Sequence, residues 1–552
     1  MEANGGHQAA AALRAHGVDV VYTLSGGHIF PLYDGCVQRE IRLLDVRHEQ
    51  TATFAAEGHA KLTRGIGVAA VTAGPGVTNA ISPITSAHFN GSPVLVLGGR
   101  APQGRWGSGS LQEMDHLPLV RSITKRAETV FDPAAAAGAV HDAVTEALTP
   151  HRGPVFLDFP LDSFFLPAEP SGEAQGHAWR ELLEDGGVRL SREVRAPAPG
   201  SDQVLAAARL LSDAERPVLV GGSDVWWDGA WQALANLAQE LRIPVVLNGM
   251  GRGCMPADHE LVFSRARSVA FREADLVVVV GTPLDFRLGF GHFGRARVVH
   301  IQDSPSVLGG HASPAASVAG DLNSALTAIA DAATRRSDPE AWIEKLRGAE
   351  QTKRAGERDE LEGDSHPIHP ARVYGILSSK LDRDAVVICD GGDFVSYAGK
   401  LVESYTPGCW LDPGPYGCLG TGLGYAAAAR IVHPDRQVVL LLGDGAFGFS
   451  GLDFDTLVRH RLPVVAIVGN NGIWGLEKHP MQMLYGYDVA ADLRQETAYD
   501  AVVKALGGAG ETVEKASELP DALDRAFESG VPYLINVLTD PSVAYPRSSN
   551  LA

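Results

Sequence analysis

Residues 438–473 read VVLLLGDGAFGFSGLDFDTLVRHRLPVVAIVGNNGI. Two apolar runs, 438–442 and 464–468, each break off into a polar glycine loop: Gly443-Asp444-Gly445-Ala446 after the first and Gly469-Asn470-Asn471 after the second. Runs of this length, separated by enough chain for a crossover helix, read as buried strands of a parallel sheet. Loops that follow the carboxyl ends of such strands line one crevice, so Asp444 and Asn471 converge although they are distant in sequence. A carboxylate with an amide oxygen suits a hard divalent cation such as Mg2+, which takes few protein ligands and completes its octahedron with phosphate oxygens and water. Gly443 and Gly445 let the backbone approach a diphosphate, and the helix N-terminus that follows favours its charge. Either loop alone is an ordinary turn. The pair, at this spacing and in this strand context, carries chemistry.

Outward from that segment, apolar runs alternate with helical patterns along almost the whole chain, the mark of stacked βαβ units. The 552 residues correspond to roughly three to four domains at about 150 residues each. Strands are expected at 18–24, 41–46, 67–72, 93–97 and 154–159, then at 217–221, 243–247, 275–281 and 297–302, and finally at 385–389, 437–442, 463–468 and 533–538. Residues 167–202, rich in Pro, Gly and charge, read as a linker, and 335–364 as an exposed charged helix with a loop. The fold class is therefore α/β, with three doubly wound parallel-sheet domains at 1–166, 200–333 and 368–540, and a tail at 541–552 that could close over an active site.

With 45% hydrophobic and 20% charged residues, each domain can bury a core. Lys and Arg number 47 against 66 Asp and Glu, a net charge of −19. Such a chain is a poor partner for nucleic acid, and any anionic ligand must be held by a local pocket. Cys36, Cys254, Cys389, Cys409 and Cys418 form no C-x-x-C pair, so neither a disulfide framework nor a zinc cluster is indicated. A reducing cytoplasm fits, and with no signal-peptide pattern and no long apolar stretch, neither export nor a membrane span is expected.

The two loops resemble the cofactor motif of thiamine diphosphate (ThDP) enzymes. Asp45-Val46-Arg47-His48-Glu49-Gln50 is similar to the R-H-E segment of acetohydroxyacid synthases and benzaldehyde lyase. The resemblance makes Glu49 the glutamate that hydrogen-bonds the aminopyrimidine ring and so leads to loss of the thiazolium C2 proton. Gly74-Pro75-Gly76-Val77-Thr78-Asn79 resembles the loop that approaches the cofactor ring, Leu111-Gln112-Glu113 a substrate-side segment, and Gly417-Cys418-Leu419-Gly420 the segment whose bulky residue wedges the cofactor. Leu419 stands where methionine is usual. Gly26-Gly27-His28-Ile29 resembles the P-G-G loop of the synthases and the G-A-H-I loop of benzaldehyde lyase, which makes His28 a proton relay beside Gln112. The resemblance implies pyrimidine-binding, central nucleotide-binding and diphosphate-binding domains in that order. Its cofactor contacts fall on Gly26, Gly27, Pro75, Asn79, Gly391, Gly392, Asp393, Cys418, Leu419, Gly443, Gly445, Ala446, Asn471, Ile473, Trp474 and Gly475. Its metal residues are Asp444, Asn471 and Ile473. Asp393 replaces an amide-type donor, and an anion beside a diphosphate is unfavourable, so its carboxylate should face another group.

Residues 446–463, from Ala446-Phe447-Gly448-Phe449-Ser450-Gly451 through Thr456 and Arg459 to Leu462-Pro463, resemble 2-hydroxyacyl-CoA lyases and oxalyl-CoA decarboxylases. So do Ala266-Arg267-Ser268-Val269-Ala270, the stretch around Glu496, and the terminal Arg547-Ser548-Ser549-Asn550-Leu551. That family resemblance implies ADP, or FAD in its place, on Arg267, Asp303 and Asp321, and a catalytic role for Glu496. The activity it implies is ThDP- and Mg2+-dependent cleavage of a 2-hydroxyacyl-CoA thioester to formyl-CoA and an aldehyde or ketone. The loop from Gly26 to Tyr33-Asp34 is instead synthase-like, so acetolactate synthesis from pyruvate stands as the alternative, with benzaldehyde-lyase-like carboligation behind it. A homo-oligomer, at least a dimer and often a tetramer, is implied as well.

Overall fold

The computed structural model describes residues 4–168, 194–334 and 338–546. Most of the expected linker at 167–202, and the terminal run Arg547-Ser548-Ser549-Asn550-Leu551, lie outside them. The chain forms three parallel sheets. The first contains β1 (Val20–Thr23), β2 (Arg42–Asp45), β3 (Gly67–Val71), β4 (Val94–Arg100), β5 (Arg126–Thr129) and β6 (Val155–Pro160), in the order β2-β1-β3-β4-β6-β5. The second contains β7 (Pro217–Gly221), β8 (Val245–Leu247), β9 (Leu276–Val280), β10 (Arg297–Gln302) and β11 (Ala316–Ala319), ordered β11-β10-β9-β7-β8. The third contains β12 (Val386–Asp390), β13 (Trp410–Leu411), β14 (Val438–Gly443), β15 (Val465–Asn470), β16 (Ala509–Val513) and β17 (Tyr533–Leu538), ordered β13-β12-β14-β15-β17-β16. Counted from its own first strand, the third sheet repeats the order of the first.

The central strands carry aliphatic side chains on both faces and are buried along their length, as helices on both sides of a parallel sheet require. In the third sheet Val439, Leu441, Val465, Ile467, Ile535 and Val537 share one core. In the first, Val68, Ala70, Leu95, Leu97, Val155 and Leu157 do the same. The charged stretch at 335–364 is less exposed than its composition predicts. The helix Glu340–Gly356 buries Trp342, Ile343 and Leu346, and the Trp342 indole N–H donates to the Pro217 carbonyl at 3.1 Å. Among the described residues no helix is long and apolar enough to cross a membrane.

By packing, the chain divides into two compact units. One joins the first sheet to Pro413–Pro434 and Ser450–Leu462, and the other holds the second and third sheets. Within the first unit the helix Glu49–Thr63 lies against the helix Gly422–Val432, and small residues set how closely. A Cβ on Gly58 would come within 2.9 Å of Tyr425 Cα, and one on Gly424 within 2.8 Å of the Ala55 nitrogen. A buried polar network crosses this contact. Glu57, wholly buried, accepts from Tyr425 Oη at 2.8 Å, Ser86 Oγ at 3.1 Å, Asn90 Nδ2 at 2.8 Å and Ser92 Oγ at 3.2 Å, while Lys61 Nζ lies 3.2 Å from its carboxylate and donates to Tyr425 Oη at 2.9 Å.

Removing one partner of a buried ion pair leaves the other uncompensated, at a cost of about 3–5 kcal/mol, whereas a lost neutral hydrogen bond costs about 1–2 kcal/mol. Lys61→Met is therefore expected to lower the thermal midpoint of unfolding well below that of Tyr425→Phe. Equal midpoints in calorimetry would show that the network does not secure the Glu49 helix.

Candidate active site

In the first sheet the strand order reverses between β1 and β3, which opens a crevice at their carboxyl ends. His28 enters it from the turn Gly27–Ile29 after β1. Its Nδ1 lies 3.1 Å from Thr72 Oγ1 after β3, and its Cβ sits over Gly99, where an added Cβ would be only 2.4 Å away. Gly26 packs so tightly on Thr72 that a Cβ would stand 2.3 Å from it, whereas Gly27 faces open space. Burial lowers the pKa of His28, so the ring is neutral at pH 7 and able to take up a proton.

Glu49 is the first residue of its helix and is 7% exposed. His48 caps that helix, its Nδ1 accepting from the Gln50 N–H at 3.1 Å. Asp453 steadies the turn, accepting from the Arg47 N–H at 2.8 Å and Thr51 Oγ1 at 2.6 Å. Asn79, at the end of the short helix Pro75–Asn79, donates to Glu49 Oε2 at 3.0 Å. Gln112 is half-buried at φ +60° and packs on Gly74, itself at φ +57°. The first domain thus joins Glu49 to Asn79, and Gln112 to the Gly74 loop. Leu419 is half-buried, and the Cys418 thiol donates to the Ser82 carbonyl at 3.7 Å.

In the third sheet the reversal falls between β12 and β14, and the loops that follow them meet: a Cβ on Gly391 would stand 3.1 Å from the Gly443 nitrogen. Gly443 faces open space, the cradle that a side chain would fill. Trp474 lies on Gly445, where a Cβ would come within 2.4 Å of the indole, and Leu476 lies on Gly392. Asp444 is 4% exposed and accepts from the Gly445 N–H at 2.9 Å and the Gly472 N–H at 2.8 Å. Asn471 Oδ1 accepts from the Ile473 N–H at 3.2 Å. Asp393 turns its Oδ1 to the Tyr545 N–H at 3.0 Å, which ties the C-terminal segment to the start of the helix Asp393–Leu401. Glu496 stands in solvent, its side chain 79% exposed and 4.0 Å from Arg494, whereas Gln495 holds the Asn470 backbone, its Nε2 donating to the Asn470 carbonyl at 3.1 Å.

In the middle domain Arg267 donates to the Arg287 carbonyl at 2.8 Å and lies over the Phe271 ring. Burial, with the charge of Arg287, lowers its pKa to about 10. Asp303 is buried after β10, and Asp321 caps the helix Leu322–Ala332 by accepting from the Ser324 N–H. One residue that holds the Glu49 turn, Asp453, escaped the sequence reading: it lies within a recognised run, but sequence does not disclose where a side chain points.

The Asp444 set fits a divalent cation. Burial raises the Asp444 pKa from 3.8 to about 6 in spite of its two N–H donors, and a cation would favour the charged form. Because the folded value lies above the unfolded one, the folded chain retains a proton that the unfolded chain has released. Without metal, this group costs stability as pH rises from 3.8 to about 6, by roughly 3 kcal/mol in full. The midpoint of metal-free protein should fall across that window more steeply than that of Asp444→Asn, and Mg2+ should raise only the wild-type midpoint. Identical slopes would remove Asp444 from this role.

Three domain models match the chain: the thiamine pyrophosphate enzyme N-terminal TPP binding domain over residues 3–119, the central domain over 204–329 and the C-terminal TPP binding domain over 390–537. The acetolactate synthase large subunit IlvG of Mycobacterium tuberculosis is 52% identical over 549 residues, covering 99% of this chain and 98% of its own. The 2-hydroxyacyl-CoA lyase 2 of Homo sapiens is 34% identical over 569 residues, covering 97% of this chain and 90% of its own. That of Caenorhabditis elegans is 34% identical over 572 residues, with 97% and 89% covered. With TPP-binding domains at both ends and relatives along its whole length, the chain belongs to the thiamine pyrophosphate enzyme family and uses thiamine diphosphate as its cofactor.

Proposed function

We propose that the protein is a carbon-carbon lyase and ligase of the 2-hydroxyacyl-CoA type, splitting the thioester between C1 and C2 into formyl-CoA and an aldehyde or ketone. The observation that carries this reading is His28, a buried imidazole kept neutral at the crevice, whose Nε2 has no hydrogen-bond partner among the described residues. Cleavage beside a hydroxyl-bearing carbon requires a base for the hydroxyl proton, whereas loss of CO2 from a 2-oxo acid does not.

The chemistry that bound thiamine diphosphate would supply is a nucleophilic thiazolium carbon and a sink for the electron pair of the C1–C2 bond. Gly391 and Gly443 would hold its diphosphate, and Asp444, Asn471 Oδ1 and the Ile473 carbonyl would hold Mg2+. Glu49, oriented by Asn79, would bind the aminopyrimidine. His28 takes the hydroxyl proton as the carbonyl of the departing aldehyde forms, and a proton returned to C1 completes formyl-CoA. Gln112 orients the thioester. Arg267 and Asp303 would hold ADP, with FAD as the other occupant; Asp321 already serves as a helix cap. Glu496 has no part in this scheme.

A second reading, acetolactate synthesis from pyruvate, is favoured by the full-length likeness to a relative of that name. The ThDP- and Mg2+-loaded protein should yield formyl-CoA from 2-hydroxyacyl-CoA thioesters and no acetolactate from pyruvate by mass spectrometry; the reverse pattern would overturn the lyase. Glu49→Gln should abolish turnover while retaining ThDP. His28→Asn should lower kcat by about 10²-fold or more with little change in KM, and turnover like wild type would dismiss the base. The proposal includes a homo-oligomer, at least a dimer and by resemblance a tetramer, which light scattering would read.

A further inference from the structure

His116 belongs to none of the motifs above, yet it is wholly buried and engaged at both ring nitrogens. Its Nδ1 lies 2.9 Å from Asp158 Oδ2, and its Nε2 is 3.0 Å from the Gly74 nitrogen. Asp158 is wholly buried, and its carboxylate is held beside Arg100 Nη1 at 3.3 Å, with the Arg100 guanidinium under the Trp106 ring. A carboxylate accepts, and a backbone N–H donates. The proton must therefore sit on Nδ1 and the lone pair on Nε2, so both neighbours select the same tautomer.

The residue so held has a backbone conformation of its own. Gly74 adopts φ +57° and ψ −109°, a conformation that L side chains avoid, and it starts the short helix Pro75–Asn79. At the far end of that helix Asn79 donates to Glu49. On the near side Gln112 backs onto Gly74, so that a Cβ there would stand 3.0 Å from Gln112 Cβ. We infer that His116 is a positioning residue: through the line Asp158, His116, Gly74 it fixes the loop whose Asn79 orients Glu49, and it does so without touching cofactor or substrate. The inference rests on the reading that Glu49 activates the cofactor.

Glutamine can reproduce both contacts, its NH2 toward Asp158 and its carbonyl toward the Gly74 N–H, whereas methionine has similar bulk and can make neither. The test compares His116→Met and His116→Gln. Two quantities are read: backbone amide exchange of residues 74–79 in the protein without ThDP, by mass spectrometry, and deuterium exchange at C2 of bound ThDP, with the ThDP Kd measured alongside. His116→Met should speed amide exchange in 74–79 and slow C2 exchange by about tenfold or more, with Kd changed by less than about threefold. His116→Gln should restore both rates to within about twofold of wild type. Unchanged exchange in His116→Met, faster amide exchange with C2 exchange unaltered, or a His116→Gln as impaired as His116→Met would each overturn the inference. If His116→Met does not fold, His116→Asn, too short to span both partners, takes its place. Should Glu49→Gln leave C2 exchange as fast as in wild type, the Glu49 reading fails, and the amide arm still decides whether His116 holds Gly74.

Discussion

Helices leaving adjacent parallel strands for opposite faces of a sheet cannot close the gap between their starting loops, so a crevice opens wherever the strand order reverses. That topological constraint governs the chemistry here. It occurs at β1 and β3 in the first sheet and at β12 and β14 in the third, which share one strand order. At the first reversal the loops carrying His28 and Thr72 come within hydrogen-bond distance, and at the second a side chain on Gly391 would run into the Gly443 backbone. Gly391 lacks a side chain because its loop passes at near contact with the backbone of the other.

Strands buried on both faces were legible in sequence because burial on both sides leaves a continuous apolar run. The thirteen strands read from sequence are the eleven interior ones and two at edges, β2 and β8, and the four missed are all at sheet edges: β5, β11, β13 and β16. An edge strand is solvated along one side and need not be apolar. Arg126-Ala127-Glu128-Thr129 of β5 is half-buried throughout, and β13 is only two residues long. The loops of the site were legible for a different reason, since glycine, asparagine and aspartate in these positions answer backbone and ligand demands that few other residues meet. Side-chain direction was not legible. Nothing in the sequence shows that Asp393 faces Tyr545, that Glu496 points to solvent or that His116 reaches Gly74.

The same distinction explains why the motifs pull toward two different reactions. In the synthase-like loop, Tyr33 Oη lies 2.7 Å from Thr23 Oγ1 and donates to the Leu24 carbonyl, and Asp34 pairs with His7. In the lyase-like run, Thr456 donates to Asp453, and Arg459 pairs with Asp45 at 2.6 Å, just before the Glu49 turn. These residues hold loops in place for any ThDP chemistry, so their likeness to one subgroup or another reports shared packing. A residue that bears on the reaction has to present a polar atom at the crevice, and in the synthase-like loop His28 does so.

One titratable group in each crevice is shifted toward its neutral form, from opposite sides. Burial raises the Asp444 carboxyl and lowers the His28 imidazole, so each of the two is harder to charge than it would be in water. In a chain with a net charge of −19, an ionised, unpaired site would add to the repulsion felt by an incoming diphosphate. Above about pH 6 Asp444 is ionised in spite of its burial, and a cation beside it would compensate that charge, while at the other crevice the neutral ring is the form that accepts a proton. The desolvation that costs stability in the empty protein is thus the same property that prepares each group for its partner, which is why these side chains are buried and not simply placed at the surface of the crevice.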